Sequence, residues 1–279
     1  MIPTLADSDS IGAEVYELLR ETVQQRYGIV LEGRQEQVRS RLGGVARASG
    51  ATSLDAYITA VMEGGNSEAL SELVDRLTTN HTHFHREPIH FDVLADTALP
   101  PIIEARRNSG ERDLRIWCAA ASTGQEPYTL AMIVQELLGS EAASWKTDIL
   151  ATDISQSALD QARQGRYREL DVERLPPKRR RWFDGEGSHR FIRKELKRQV
   201  LYRRMNLLRP RYPFSTTFDV VFCRNVMIYF DMETRTEVVE RMATVIRPGG
   251  WLFISLSETL PRREDLGFKF VQPGVYRRT

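Results

Sequence analysis

Four short segments of the chain carry side chains able to do chemistry. The first, Leu77 to Pro88, holds Asn80, Thr82 and Arg86 among histidines at 81, 83 and 85. Histidines at alternate positions suit one side of a strand. No further His or Cys cluster accompanies them, so no metal site is expected. Asn80, Thr82 and Arg86 offer amide, hydroxyl and guanidinium groups that can close over a ligand. The second segment, Ala119 to Pro127, passes through small residues, including Ala120, and enters a helix at Glu126 and Pro127. Small side chains let the backbone approach a ligand, and a helix start supplies unpaired N–H groups. A Gly-Lys-Ser/Thr phosphate loop is absent, and an ordinary strand-to-helix turn explains this stretch about equally well. The third is Asp153, at the end of the next apolar run. The fourth is Arg224 to Asp231, where Asn225 follows a third apolar run and Tyr229 can present a hydroxyl. Tyr229 and Phe230 can equally be core aromatics.

These segments fall at the ends of regular elements. The first ninety residues read as four helices: one capped by Ser10, one over Gln35 to Ala48, one capped by Ser53, and one beginning at Ser67. From about residue 113 the pattern changes. Short apolar runs at 114–120, 147–153, 218–224 and 250–256 alternate with helical patterns at 127–138, 155–164 and 232–246. Such alternation predicts a parallel sheet covered on both faces. Residues 268–271 and 275–278 flank Pro273-Gly274 as a closing hairpin. Asp153 then stands where a doubly wound sheet places an acid for ribose hydroxyls. Capping the next helix is its other available role, although Ser155 can also do that. Turn and acid together suit a nucleoside-bearing ligand with no tightly held pyrophosphate, which favours S-adenosylmethionine over NAD.

Composition bounds the alternatives. The chain has 279 residues, with 39 Lys and Arg against 38 Asp and Glu, so a uniformly basic nucleic-acid binder is excluded. One stretch is different: Gln161 to Met205 holds fifteen basic residues against six acidic ones. It reads as an inserted, partly antiparallel piece on the edge of the main sheet. Cys118 and Cys223 lie in apolar runs and read as buried, reduced thiols. Met1 to Asp7 lack the regions of a secretory leader, and no apolar run approaches the roughly 20 residues of a membrane span. A cytoplasmic monomer without direct membrane insertion is expected.

The combination of segments resembles the chemotaxis receptor methyltransferases, the CheR family. Thr78-Thr79-Asn80 with Phe84-His85-Arg86-Glu87, Ala119 to Tyr128, Ala151 to Ile154, and Cys223 to Asp231 carry the match. Arg247 to Gly250 and Ser257 to Leu260 fit as well. The resemblance implies an α/β fold: an N-terminal all-helical domain followed by a Rossmann-like doubly wound methyltransferase sheet with a small antiparallel β-subdomain insert. The implied boundaries are 1–78 for the helical substrate-recognition domain, 79–98 for a linker contributing to the cofactor site, and 99–279 for the S-adenosylmethionine domain. The insert is placed at about 168–205. It further implies that Asn80, Thr82, Arg86, Ala120, Glu126, Asp153, Asn206, Leu207, Asn225 and Val226 bind the cofactor. Of these, Asn206 and Leu207 would lie near adenine, and Asn225 and Val226 near the methionine end. Arg86 and Tyr229 would stand beside the transferred methyl.

The implied reaction moves that methyl to glutamate carboxylates of membrane chemoreceptors. Arg34, Arg39, Arg41 and Arg47, read as lying on the second helix, would dock the receptor's helical cytoplasmic region, and the enzyme would be recruited to receptor arrays at the inner membrane. A solvated helix surface explains those arginines as well on charge alone. In family members that tether a receptor C-terminal pentapeptide, a Gly-rich loop of the insert takes part. The corresponding loop here, Asp184 to His189, matches that form poorly, which argues against tail docking. An RNA methyltransferase is a rival, since the basic stretch can hold phosphates. It lacks support from an Asn/Asp-Pro-Pro-Tyr/Phe motif or a catalytic cysteine. A non-catalytic binding module is the other rival, opposed by the intact set at 86, 126, 153 and 225.

Overall fold

The computed structural model describes residues 10–78, 81–260 and 264–279, which divide into two compact units. The first comprises residues 1–79 together with Tyr229–Asp231. It contains α1 (Ala13–Tyr27), α2 (Gln35–Ala48), α3 (Leu54–Glu63) and α4 (Ser67–Leu77). Their apolar stripes meet in a core that includes Leu19, Val23, Val38, Leu42, Ile58 and Leu73. Ser53 caps α3 as its type predicts, accepting from Ala56 N–H at 3.1 Å. α4 begins at Ser67 as expected, and Asn66 caps it, accepting from Glu68 N–H at 2.9 Å. The expected Ser10 cap is replaced by Gly12, whose N–H donates to the Asp55 carboxylate at 3.0 and 3.2 Å. A Cβ at Gly12 would stand 2.9 Å from Asp55 Oδ2, so a larger residue there would have to push this carboxylate aside.

The second unit holds residues 80–228 and 232–279. α5 (Pro88–Val93) continues through a π turn, Leu94–Ala98, into α6 (Leu99–Ser109). Pro100 and Pro101 lack the N–H groups that would continue an α ladder there. Then follow β1 (Ile116–Cys118), α7 (Gln125–Leu138), β2 (Ile149–Asp153) and α8 (Gln156–Gln164). Next come β3 (Arg166–Arg168), β4 (Phe183–Asp184), β5 (His189–Ile192), β6 (Val200–Arg204) and β7 (Phe218–Phe222). A helix over Met232–Val245 leads to β8 (Ile246–Phe253), and the pair β9 (Phe268–Gln272) and β10 (Val275–Arg278) closes the unit.

Seven strands form one mixed sheet in the order β6-β2-β1-β7-β8-β10-β9. The pairs from β6 to β8 are parallel, and those made by β10 are antiparallel. The winding reverses at β1, which pairs with both β2 and β7, and so the crevice opens at the carboxyl ends of β1 and β7. Phe222 ties the helical layer to the sheet, stacking on Phe91 of α5 and, at 4.3 Å, on Phe253. A separate antiparallel sheet, β3-β5-β4, spans Arg166 to Ile192, with the 184–189 loop as its hairpin. The stretch 168–205, expected as one insert, is therefore divided. Val200–Arg204 pairs in parallel with Ile149–Asp153 as the edge strand of the main sheet.

Candidate active site

Backbone strain marks the crevice. Among the described residues, His85, Glu87, Ser122 and Asn225 are the non-glycine residues with left-handed φ, between 47 and 59°. Such conformations cost about 1–3 kcal/mol each and persist only where surroundings over-determine them. Ser122 follows β1, Asn225 follows β7, and 85–87 precede α5. Three chain segments thus bend sharply at one place.

Arg224 joins them. Its side chain is 1% exposed. Nη1 donates to Glu126 Oε2 at 2.5 Å, and Nη2 donates to the Arg86 carbonyl at 2.6 Å and lies 3.2 Å from Glu87 Oε2. The guanidinium lies 5.4 Å from the Phe91 ring centroid. Glu87 also accepts from Ser255 Oγ at 2.8 Å, Asn225 Nδ2 at 3.2 Å and Leu256 N–H at 3.1 Å. Burial opposes its charge, but Arg224 and these donors prevail and hold the carboxyl at about 2. Cys118 Sγ donates to Glu126 Oε1 at 3.2 Å. Neither Arg224 nor Glu87 shows a role in the sequence, because Arg224 meets Glu126 and the Arg86 carbonyl across 98 and 138 residues, and Glu87 meets Asn225 across 138.

Two further buried groups brace this cluster. Glu258 accepts from the N–H groups of Ser255, Asn225 and Ile228, and burial pushes its carboxyl up. His90 is fully buried, with Nδ1 3.3 Å from Glu87 and Nε2 3.3 Å from the Pro273 carbonyl. Burial and Arg224 pull its imidazole down to about 4, so it is neutral at pH 7.

Asp153 ends β2 with both carboxylate oxygens engaged. Oδ2 accepts from Ser122 N–H at 2.8 Å and Oδ1 from Ser155 N–H at 2.9 Å. Ser155 Oγ caps α8 by accepting from Ala158 N–H, so the cap and the acid are separate residues. Met205 N–H donates to the Asp153 carbonyl at 2.9 Å, which sets Asn206 and Leu207 beside Asp153. Ala120 lies in the turn where Ala121 N–H donates to the Thr152 carbonyl. Ala120, Glu126, Asp153, Asn206, Leu207 and Asn225 thus gather at the carboxyl ends of neighbouring strands, and Val226 follows Asn225 in the loop after β7.

Other predicted residues sit differently. Asn80 lies outside the described residues. Thr82 is half-buried, and Arg86 donates through Nη1 to the His81 carbonyl at 2.9 Å. The histidines have ordinary partners: His85 stacks on Phe91, and His81 meets His83 edge-on. Tyr229 is grouped with the helical unit, its carbonyl accepting from Val30 N–H and its ring 5.3 Å from the Arg34 guanidinium. Arg34 precedes α2 as its N-cap and does not lie on the helix. Arg39 pairs with Glu36, Arg41 donates to the Leu77 carbonyl, and Arg39 and Arg47 are exposed.

Two family descriptions match the chain: "CheR methyltransferase, all-alpha domain" over residues 14–78, and "CheR methyltransferase, SAM binding domain" over residues 80–276. The chain is 37% identical to the chemotaxis protein methyltransferase of Escherichia coli, over 95% of this chain and 89% of that one. It is 36% identical to that of Borreliella burgdorferi, over 93% and 92%. With chemotaxis protein methyltransferase 1 of Pseudomonas aeruginosa it shares 38%, over 94% and 97%.

The residues present fit S-adenosylmethionine. A carboxylate offers about four acceptor sites, so Asp153 can serve the turn and a ribose hydroxyl together. Leu207 and Asn206 provide an apolar surface and an amide for a base. Glu87 and Glu126 around the single Arg224 leave an excess negative charge, which suits a sulfonium cation.

Proposed function

Because the chain belongs to the CheR methyltransferase family, we propose that it methylates glutamate side-chain carboxylates of membrane chemoreceptors, forming glutamyl methyl esters for sensory adaptation. It is an S-adenosylmethionine-dependent methyltransferase of chemotaxis. The observation that best supports an active site at the crevice is the buried Arg224–Glu87–Glu126 cluster, at which Glu87 and its partner Asn225 are held in left-handed backbone conformations.

The bound cofactor supplies an electrophilic methyl on a cationic sulfur. Asp153 accepts from the ribose, Asn206 and Leu207 face the base, and Asn225 and Val226 lie at the amino-acid end, with Ala120 as the close backbone approach. Asn80, Thr82 and Arg86 complete the seat, and Glu126 adds negative charge. A glutamate side chain has a pKa near ~4.3, so the nucleophile is ionised at neutral pH and no strong base is required. The site must supply alignment and a place where opposite charges can meet away from water. Arg86 orients the incoming carboxylate, with four of its five N–H groups not engaged by His81. Too tight a pair would stabilise the ground state, so Arg86 positions and does not clamp.

Arg39 and Arg47, exposed on α2, with Arg34 and Arg41, form the receptor-docking face. The enzyme works in the cytoplasm at receptor arrays. Among the described residues no helix is long and apolar enough to cross a membrane. The test is incubation with radiolabelled S-adenosylmethionine and chemoreceptor-containing membranes, followed by mild alkali. Volatile methanol released from a receptor band is the expected result. Alkali-stable label on nitrogen or RNA would overturn the substrate.

A further inference from the structure

The small antiparallel sheet touches the cofactor turn through one hydroxyl. Tyr167, the middle residue of β3, is 6% exposed, and its Oη donates to the Thr123 carbonyl at 2.8 Å. Thr123 lies within the turn that carries Ser122, whose N–H holds Asp153, and Gly124, whose N–H donates to the Ala121 carbonyl at 3.0 Å. The ring is fixed independently of the hydroxyl. Phe84 meets it edge-on at 4.7 Å and Tyr128 at 6.3 Å, while Phe183 of β4 packs on both Phe84 and Tyr167. Gly124 has φ 95°, and a Cβ there would stand 2.7 Å from Tyr167 Oη and 2.9 Å from Tyr202 Oη. The turn is therefore moulded against the hydroxyl. Burial pushes the phenol well above its ordinary value, so it remains a neutral donor.

We infer that Tyr167 is a positioning residue for cofactor binding, acting through Thr123 on the turn that orients Asp153. The small sheet is then part of the cofactor seat as well as an appended module. The inference rests on Asp153 belonging to that seat. Behind the hydrogen bond lies an open polar cleft lined by Thr123, Gln125 and Tyr167 among others. Water can reach the Thr123 carbonyl there once the hydroxyl is removed, so the turn loosens and is not left with a buried, unpartnered acceptor.

The test uses Tyr167→Phe in the full chain, with S-adenosylhomocysteine as the calorimetric probe. Affinity is expected to fall about three- to ten-fold, the range of a single hydrogen bond. Amide exchange at Ala121 and Gly124 should accelerate, while the thermal midpoint without ligand falls by at most about 4 °C. Unchanged affinity, or faster exchange spread over the whole sheet, would overturn the inference. Asp153→Ala separates the two readings. If it retains full affinity, the seat assignment fails and the inference with it. If it loses affinity while Tyr167→Phe does not, only the role of Tyr167 fails.

Discussion

Strand β7 carries a buried arginine–carboxylate cluster at each end, and the two are built oppositely. Near its start, Asp219 is the centre. Arg106 Nη2 and Arg247 Nε each lie 2.7 Å from Oδ1, and Arg115 N–H donates to Oδ2 at 2.7 Å. Just past its end, Arg224 is the centre, with Glu87 and Glu126 around it. The first cluster has one acid and two bases, the second one base and two acids. The first involves no left-handed residue, whereas Glu87 and Asn225 of the second both have left-handed φ. Equivalent chemistry thus fastens the sheet at one end and, at the other, holds a strained, negatively biased crevice ready for a cation.

Removing the centres should expose the difference. Arg224→Met leaves two buried carboxylates without their guanidinium, so stability should fall by about 3–5 kcal/mol and S-adenosylhomocysteine binding should vanish. Urea unfolding and calorimetry check both, and near-wild-type binding would break the comparison. Asp219→Asn keeps some hydrogen-bonding capacity and should cost about 1–3 kcal/mol. Its cofactor affinity should be unchanged, and a parallel loss there would show that the two ends are not independent.

Acid should strike the crevice in two stages. His90 is held neutral down to about 4, below its ordinary 6.5. The unfolded chain therefore gains a proton that the fold refuses, and stability falls as pH drops from about 6.5 to 4. Glu87, held at about 2, keeps its charge when the unfolded carboxyl is protonated. Its contribution is present above about 4.5 and is lost from there down toward 2. Urea midpoints across this range should decline through both windows, and Glu87→Gln should remove the lower one. A flat profile would discard the scheme. The smallest effect is expected from Ser122→Gly. Glycine adopts its φ of 47° without steric cost, so stability should change by no more than about 1 kcal/mol. A larger loss would mean that the serine side chain, and not the turn geometry, sets this position.

The parallel strands β1, β2 and β7 were legible because they are buried on both faces and read as apolar runs. β6 was not, because Leu201, Arg203 and Arg204 are exposed and leave an alternation broken by charge. Asp153 was legible through its place after a strand. Arg224 opens the Arg224–Asp231 segment, yet its function depends on a carboxylate and a carbonyl distant in the chain. The left-handed turns at His85, Glu87, Ser122 and Asn225 leave no mark in residue type comparable to a glycine. The Gly12 cap was equally hidden, since Asp55 reaches it from 43 residues away.

The arginines that concealed β6 also protect it. Among the described residues this strand is the outermost of the seven-stranded sheet on its side. Such a margin is a template for runaway association between chains. Arg203 folds onto the Tyr202 carbonyl and Arg204 onto the Ile154 carbonyl, so two positive charges stand along the rim. A second copy approaching edge to edge would bring the same charges against them, so like-charge repulsion opposes pairing at this edge.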